Sequence, residues 1–102
     1  MSAMVIQTTF NDKEEAKKLI HILLDNKLCA CIQMHEVDSF YVWADEVCED
    51  KEYLLNIKTK KSNYKEIKRK IKENHSYDLP EIVAMDIIDG SKSYLKWLEE
   101  SC

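Results

Sequence analysis

The residue types with most chemistry in this chain are three histidines, four cysteines and a surplus of carboxylates. Imidazole and thiolate together suit copper or zinc, whereas carboxylates alone suit harder cations. His75 heads the segment His75-Ser76-Tyr77-Asp78-Leu79-Pro80-Glu81, where Tyr77, Asp78 and Glu81 could join it around a ligand in a cleft. A plainer reading also holds for His75, because a helix C-terminus favours a cationic side chain. Cys29, Cys31 and His35 share one face of an expected strand. Cys31 and His35 are four residues apart, about 13 Å at 3.3 Å per residue. Bonds of about 2.0–2.3 Å to a metal cannot span that, so Cys31 could ligate only with help from another strand or subunit. Cys29 and Cys31 do not pair either, since i and i+2 side chains on a strand stand parallel about 6.5–7 Å apart. Cys29, Cys31 and Cys48 are expected as small buried hydrophobes, Cys102 as a mobile end, and His21 as solvated or half-packed beside a helix stripe.

Several function classes drop out. A zinc-protease His-Glu-x-x-His and a phosphate loop are absent, and the chain holds a single glycine, Gly90. The only arginine is Arg69, so the arginine phosphate cradle of acylphosphatases is missing, and no catalytic activity is expected. A formal net charge of −4 and a pI near 5.4 argue against nucleic acid. Lys60, Lys61, Lys65, Lys68, Arg69, Lys70 and Lys72 read as a solvated face, and the aromatic signature of RNA-recognition sheets is absent. No apolar run approaches the roughly 18 residues of a membrane span. Met1 leads directly into a strand-like segment, so the expected location is the reducing cytoplasm.

Residues 1–102 read as one domain. Ala3–Thr9 predicts a first strand. Asp12 is placed to cap a helix with Glu15 closing the box, and Ala16, Leu19, Ile20, Leu23 and Leu24 form its apolar stripe up to Asn26. Cys29 to about Ala44 and Val47–Lys60 predict two long strands around a turn at Asp45-Glu46. Ser62 is expected to cap a second helix striped by Tyr64, Ile67 and Ile71, ending before Pro80. Glu81–Ile88 predicts a fourth strand, and Ser91 caps a short helix with Tyr94, Leu95, Trp97 and Leu98. The order βαββαβ plus a terminal helix is the α+β, ferredoxin-like split βαβ plan, with both crossover helices on one face of an antiparallel sheet.

That plan leaves the second face uncovered, where polar residues should alternate. The fourth strand is apolar on both sides, with Ile82, Ala84 and Ile88 facing one way and Val83, Met85 and Ile87 the other. A ten-residue terminal helix covers only part of such a face. The long hairpin would also project beyond the helices while carrying Phe40, Tyr41 and Trp43. Exposed aromatics on a projecting ribbon call for a partner, so these three are expected to make contacts in a homo-oligomer.

The chain resembles the CutA divalent-cation tolerance family over its whole length. The resemblance rests on Thr8-Thr9, Lys27-Leu28-Cys29-Ala30-Cys31, Tyr41-Val42-Trp43, Ile57-Lys58-Thr59, His75 to Glu81, and Gly90 to Leu98. It implies a ferredoxin-like homotrimer linked to divalent metals, copper especially. It also implies a likeness to the PII signalling trimers, which take small ligands at subunit clefts. The metal proposal for some bacterial members uses a cysteine and two consecutive histidines where this chain has Thr8, Asn74 and His75. His75 is therefore the leading metal candidate, with Asp78, Glu81 and Cys31 behind it.

Overall fold

The computed structural model describes residues 2–102. Its order is β1 (Ala3–Phe10), α1 (Lys13–Asp25), β2 (Cys31–Trp43), β3 (Glu46–Lys60), a single 3-10 turn (Lys61–Asn63), α2 (Tyr64–Glu73), β4 (Val83–Asp86) and α3 (Lys92–Ser101). The strands form one antiparallel sheet in the order β2-β3-β1-β4. The architecture is therefore α+β, with one four-stranded sheet and three α-helices.

Strand alternation sorts side chains onto two faces. Ile6, Thr8 and Phe10 of β1 lie opposite Ile57, Leu55 and Tyr53 of β3. Against this face pack Ala16, Leu19 and Leu23 of α1 and Ile67 and Ile71 of α2, all fully buried. Asp12 caps α1 as expected, its carboxylate accepting from Glu15 N at 3.1 Å. The same helix ends with Lys27 in the left-handed region (φ 53°). There Leu28 N donates to Leu23 O and Lys27 N to Leu24 O, a glycine-type termination built on a lysine. Ser91 caps α3 through Tyr94 N.

Several sequence expectations need correction. β2 starts at Cys31, not Cys29, and Cys29 lies before it with only 3% exposure. Burial pushes that thiol up to about 12. The hairpin turn is Ala44–Asp45, both at positive φ, between the paired Trp43 and Glu46, so β3 begins at Glu46. Two consecutive positive φ values make it a type I′ turn, the hand that matches strand twist. Ser62 caps nothing; it sits in the 3-10 turn, and α2 has no side-chain cap. Asn63, at the capping position, instead donates to Leu28 O, which Thr59 also reaches at 2.6 Å. Finally, β4 covers only Val83–Asp86, because it pairs with β1 no further than Gln7. Of the cysteines only Cys29 is buried, and Cys102 is seated, its thiol 3.3 Å from Leu98 O.

The second sheet face is largely open. Val83 and Met85, which pair with Gln7 and Val5 on this face, are 46% and 45% exposed. α3 covers one end of it: Lys58, which pairs with Val5 on this face, holds its ammonium 5.6 Å from the Tyr94 ring centre. Leu98 is fully buried there, outside the main core. β1 ends opposite Tyr53, so the seven pairs from Val37–Glu52 to Trp43–Glu46 project beyond it. They form an arm about 23 Å long at 3.3 Å per residue. Phe40, Val42, Trp43 and Val47 on this arm are each more than 60% exposed.

Candidate functional site

Where β1 runs out of β4 partners, its free backbone is met by the segment after α2. His75 Nε2 donates to Thr9 O at 2.7 Å, and His75 Nδ1 accepts from Tyr77 N at 3.1 Å. These partners fix the neutral tautomer with its proton on Nε2. The ring stacks on Phe10 at 4.1 Å between centres and tilts against Tyr77 at 4.7 Å. Both ring nitrogens are thus spent on backbone, and His75 works as the clasp that fastens the loop to the end of β1. A metal could reach it only by breaking one of these bonds.

The clasp swings Tyr77 over the open face of the sheet, where its hydroxyl donates to Glu52 Oε2 at 2.8 Å. Glu52 pairs with Val37 in the register and is only 8% exposed. Burial and the Glu52 carboxylate push the Tyr77 hydroxyl well above its ordinary range. Next along the arm, the Tyr41 hydroxyl donates to Asp50, which holds its pKa up at about 12. Together these groups bound a cleft of about 610 Å³ on the open sheet face. Its floor comes from Thr9, Ser39 and Glu52. Phe40, Tyr41 and Trp43 form the arm side, and Tyr77, Asp78, Leu79 and Glu81 the loop side.

The electrostatics of this cleft are one-sided. Among the described residues, three carboxylates line it, and no Lys, Arg or His does. Burial, then the Glu52 charge, raises the Glu81 carboxyl above its usual value. The Lys51–Glu36 ion pair gives no relief, because by alternation both side chains point to the sheet side opposite the cleft.

The sequence candidates are therefore divided by the fold. Asp78 and Glu81 line the cleft, and His75 stands behind it as a clasp. Cys31 pairs with Lys58, six residues along β2 from Val37, and so lies about 20 Å away. Among the described residues of one chain, no three His, Cys, Asp or Glu side chains converge as a metal group. Thr8 is buried with its hydroxyl unpartnered, and Asn74 donates to Lys70 O. Sequence reasoning missed Glu52 as a site residue. Its signal was present: alternation from the buried Leu55 and Ile57 turns Glu52 toward the second face, away from the helices.

A four-stranded antiparallel sheet, helices packed on one face and an acidic aromatic cleft on the other define a small α+β protein with one sheet face left open. Residues 4–101 match the CutA1 divalent ion tolerance protein family, and the chain belongs to it. The divalent-cation tolerance protein CutA of Pyrococcus horikoshii is 41% identical over 97 residues, 95% of each chain. A crystal structure of CutA1 from that organism superposes with a TM-score of 0.91 over 96% of both chains at 41% identity. CutA1 from Oryza sativa gives 0.94 at 36% identity over 99% of this chain and 94% of that one. The CutA of Archaeoglobus fulgidus, titled as periplasmic, gives 0.93 at 31% identity over 97% of both. No helix of the described residues is long and apolar enough to cross a membrane.

Proposed function

We propose that this chain is a cytoplasmic, non-catalytic homotrimer on the ferredoxin-like plan, answering divalent cations at clefts between its subunits. Trimer formation is supported by the open β2 and β4 edges, the uncovered Val83 and Met85, and the aromatic arm. These features need a partner to take apolar surface out of water. Phe40, Tyr41 and Trp43 are the proposed contacts.

The observation that carries the cation reading is the charge of the cleft. Glu52 and Glu81 are close enough for one to raise the other's pKa, and no basic side chain among the described residues lines the space between them. A divalent cation would relieve that repulsion, with Glu81 and Asp78 as ligands and a second copy completing the shell. An all-oxygen donor set suits hard cations, and it holds copper(II) by affinity order more than by ligand softness. His75 positions the loop; its role as a direct ligand requires release of Tyr77 N.

Light scattering joined to calorimetry with manganese(II), zinc(II) and copper(II) tests this. The expected mass is three times 12.0 kDa. Wild type should bind, and Glu81→Gln should weaken binding by about fivefold or more, the loss of one charged ligand contact. A 12.0 kDa species, or identical binding by wild type and Glu81→Gln, would refute the reading.

A further inference from the structure

Cys29, Cys31 and Cys102 meet at the end of the sheet where α3 closes on the start of β2. Thr59 marks the place. It alternates with Leu55 and Ile57 onto the helix-covered face and is fully buried. Its hydroxyl donates to Leu28 O at 2.6 Å, the carbonyl of the peptide bond that leads into Cys29. The Cys102 thiol lies 4.0 Å from the same hydroxyl oxygen and 3.3 Å from Leu98 O. The residue after α3 therefore reaches round the end of the sheet to the side on which Cys29 packs into the core. Cys31 points the other way, since it pairs with Lys58 and shares its open face. Burial raises the Cys29 thiol most, and Cys102 adds more than Cys31 does, although Cys31 is only two residues along the chain. The two sulfurs also differ in access: Cys29 is 3% exposed, whereas Cys102 is half-buried. A thiol buried among apolar groups is inert toward reagents in solution, and a partly exposed one is not.

We propose that Cys102 and Cys29 are a redox-sensitive thiol pair, oxidised to an intrachain bridge by low-molecular-weight disulfides of the glutathione type. The Cys102 thiolate attacks one sulfur of the small disulfide, whose S–S bond breaks; one small thiolate leaves with the electron pair and takes up a proton. The Cys29 thiol then gives its proton to solvent and attacks the Cys102 sulfur of the mixed disulfide, expelling the second small thiolate. Two protein thiols are oxidised and one small disulfide is reduced to two thiols. Cys102 lies just past α3, so its sulfur moves toward Cys29 by rotation about one residue, without unwinding the helix. The bridge ties α3, whose Tyr94 and Leu98 cover one end of the open face, to the start of β2. In a reducing compartment such a bridge is transient and follows the level of oxidant. It uses neither the cleft nor the arm and stands apart from the divalent-cation reading.

The test treats the native wild-type protein with oxidised glutathione, quenches by alkylation and maps the products by mass spectrometry. The expected product has lost two of its four alkylatable thiols, with the link joining the peptides that carry Cys29 and Cys102. In a timed alkylation of the reduced protein, Cys102 should react about tenfold or more faster than Cys29. Cys29→Ala should stop at a glutathione adduct on Cys102, and Cys102→Ser should leave Cys29 unmodified. Should Cys29→Ala fail to fold because it opens space in the core, Cys102→Ser at its half-buried position carries the comparison. Cys31→Ser and Cys48→Ser should bridge as the wild type does, and the same treatment in urea should scatter links over several pairs. A bridge through Cys31 or Cys48, or a link between copies on a non-reducing gel, would overturn the proposal. So would a wild-type Cys102 adduct that never resolves, no reaction at Cys102, or native links as scattered as those formed in urea.

Discussion

Replacing Tyr77 by Phe removes one atom from the site and tests how the cleft is held. The hydroxyl donates to Glu52 Oε2 at 2.8 Å, and Glu52 is 8% exposed. The ring's contact with His75 and the Tyr77 N to His75 Nδ1 bond survive the change. What is lost is a single hydrogen bond to a charged acceptor, worth about 1.5–3 kcal/mol. Because the other Glu52 oxygen is reached from solvent, the lower part of that range applies, about 1.5–2 kcal/mol. Urea unfolding at neutral pH and a single fixed protein concentration reads it. Glu52→Gln and the double variant complete a cycle, with an expected coupling of about 1 kcal/mol. Should Tyr77→Phe fall within about 0.5 kcal/mol of wild type and add simply to Glu52→Gln, the loop is not fastened through this bond.

Two further outcomes follow from local geometry. The Glu81 carboxyl is raised by burial and by Glu52, so it favours the folded state while protonated and loses that advantage as pH rises through its folded pKa. Glu81→Gln should therefore stabilise the protein at neutral pH and flatten its stability profile just above the ordinary carboxylate range; thermal melts that keep the wild-type pH slope would contradict this. At the hairpin tip, Ala44 and Asp45 carry φ of 50° and 63°. Ala44→Asn with Asp45→Gly, the pair this turn prefers, should stabilise by about 1–2 kcal/mol in urea unfolding, and no gain would exclude the type I′ geometry.

Much of the fold was legible from pattern alone. The Ala16-Leu19-Leu23 and Ile67-Ile71 stripes placed both crossover helices, because a 3.6-residue period has one packing solution against a sheet. Asp12 and Ser91 marked helix starts by the hydrogen bonds only their side chains can make. Element ends were less legible where a lysine at φ 53° stops α1 without glycine, and where Asn63 turns from capping duty to the Leu28 carbonyl. β4 is shorter than its apolar run: Ile82 lies beyond the span that pairs with β1, and Ile87 keeps only a bond from its N–H to Ala3 O at the strand's end.

The sequence by itself determined the element order, the face each strand turns to the helices, and a surplus of apolar side chains on the other face. Those follow from short-range periodicity, which each segment carries within itself. Only the tertiary structure decided what the chemical residues do. His75 became a clasp because the end of β1 presents Thr9 O to it, sixty-six residues away in the chain. Glu52 became the floor of a cleft because that clasp lays Tyr77 across it. Such roles depend on which backbone atoms are left unpaired when distant strands meet, and no local pattern records that.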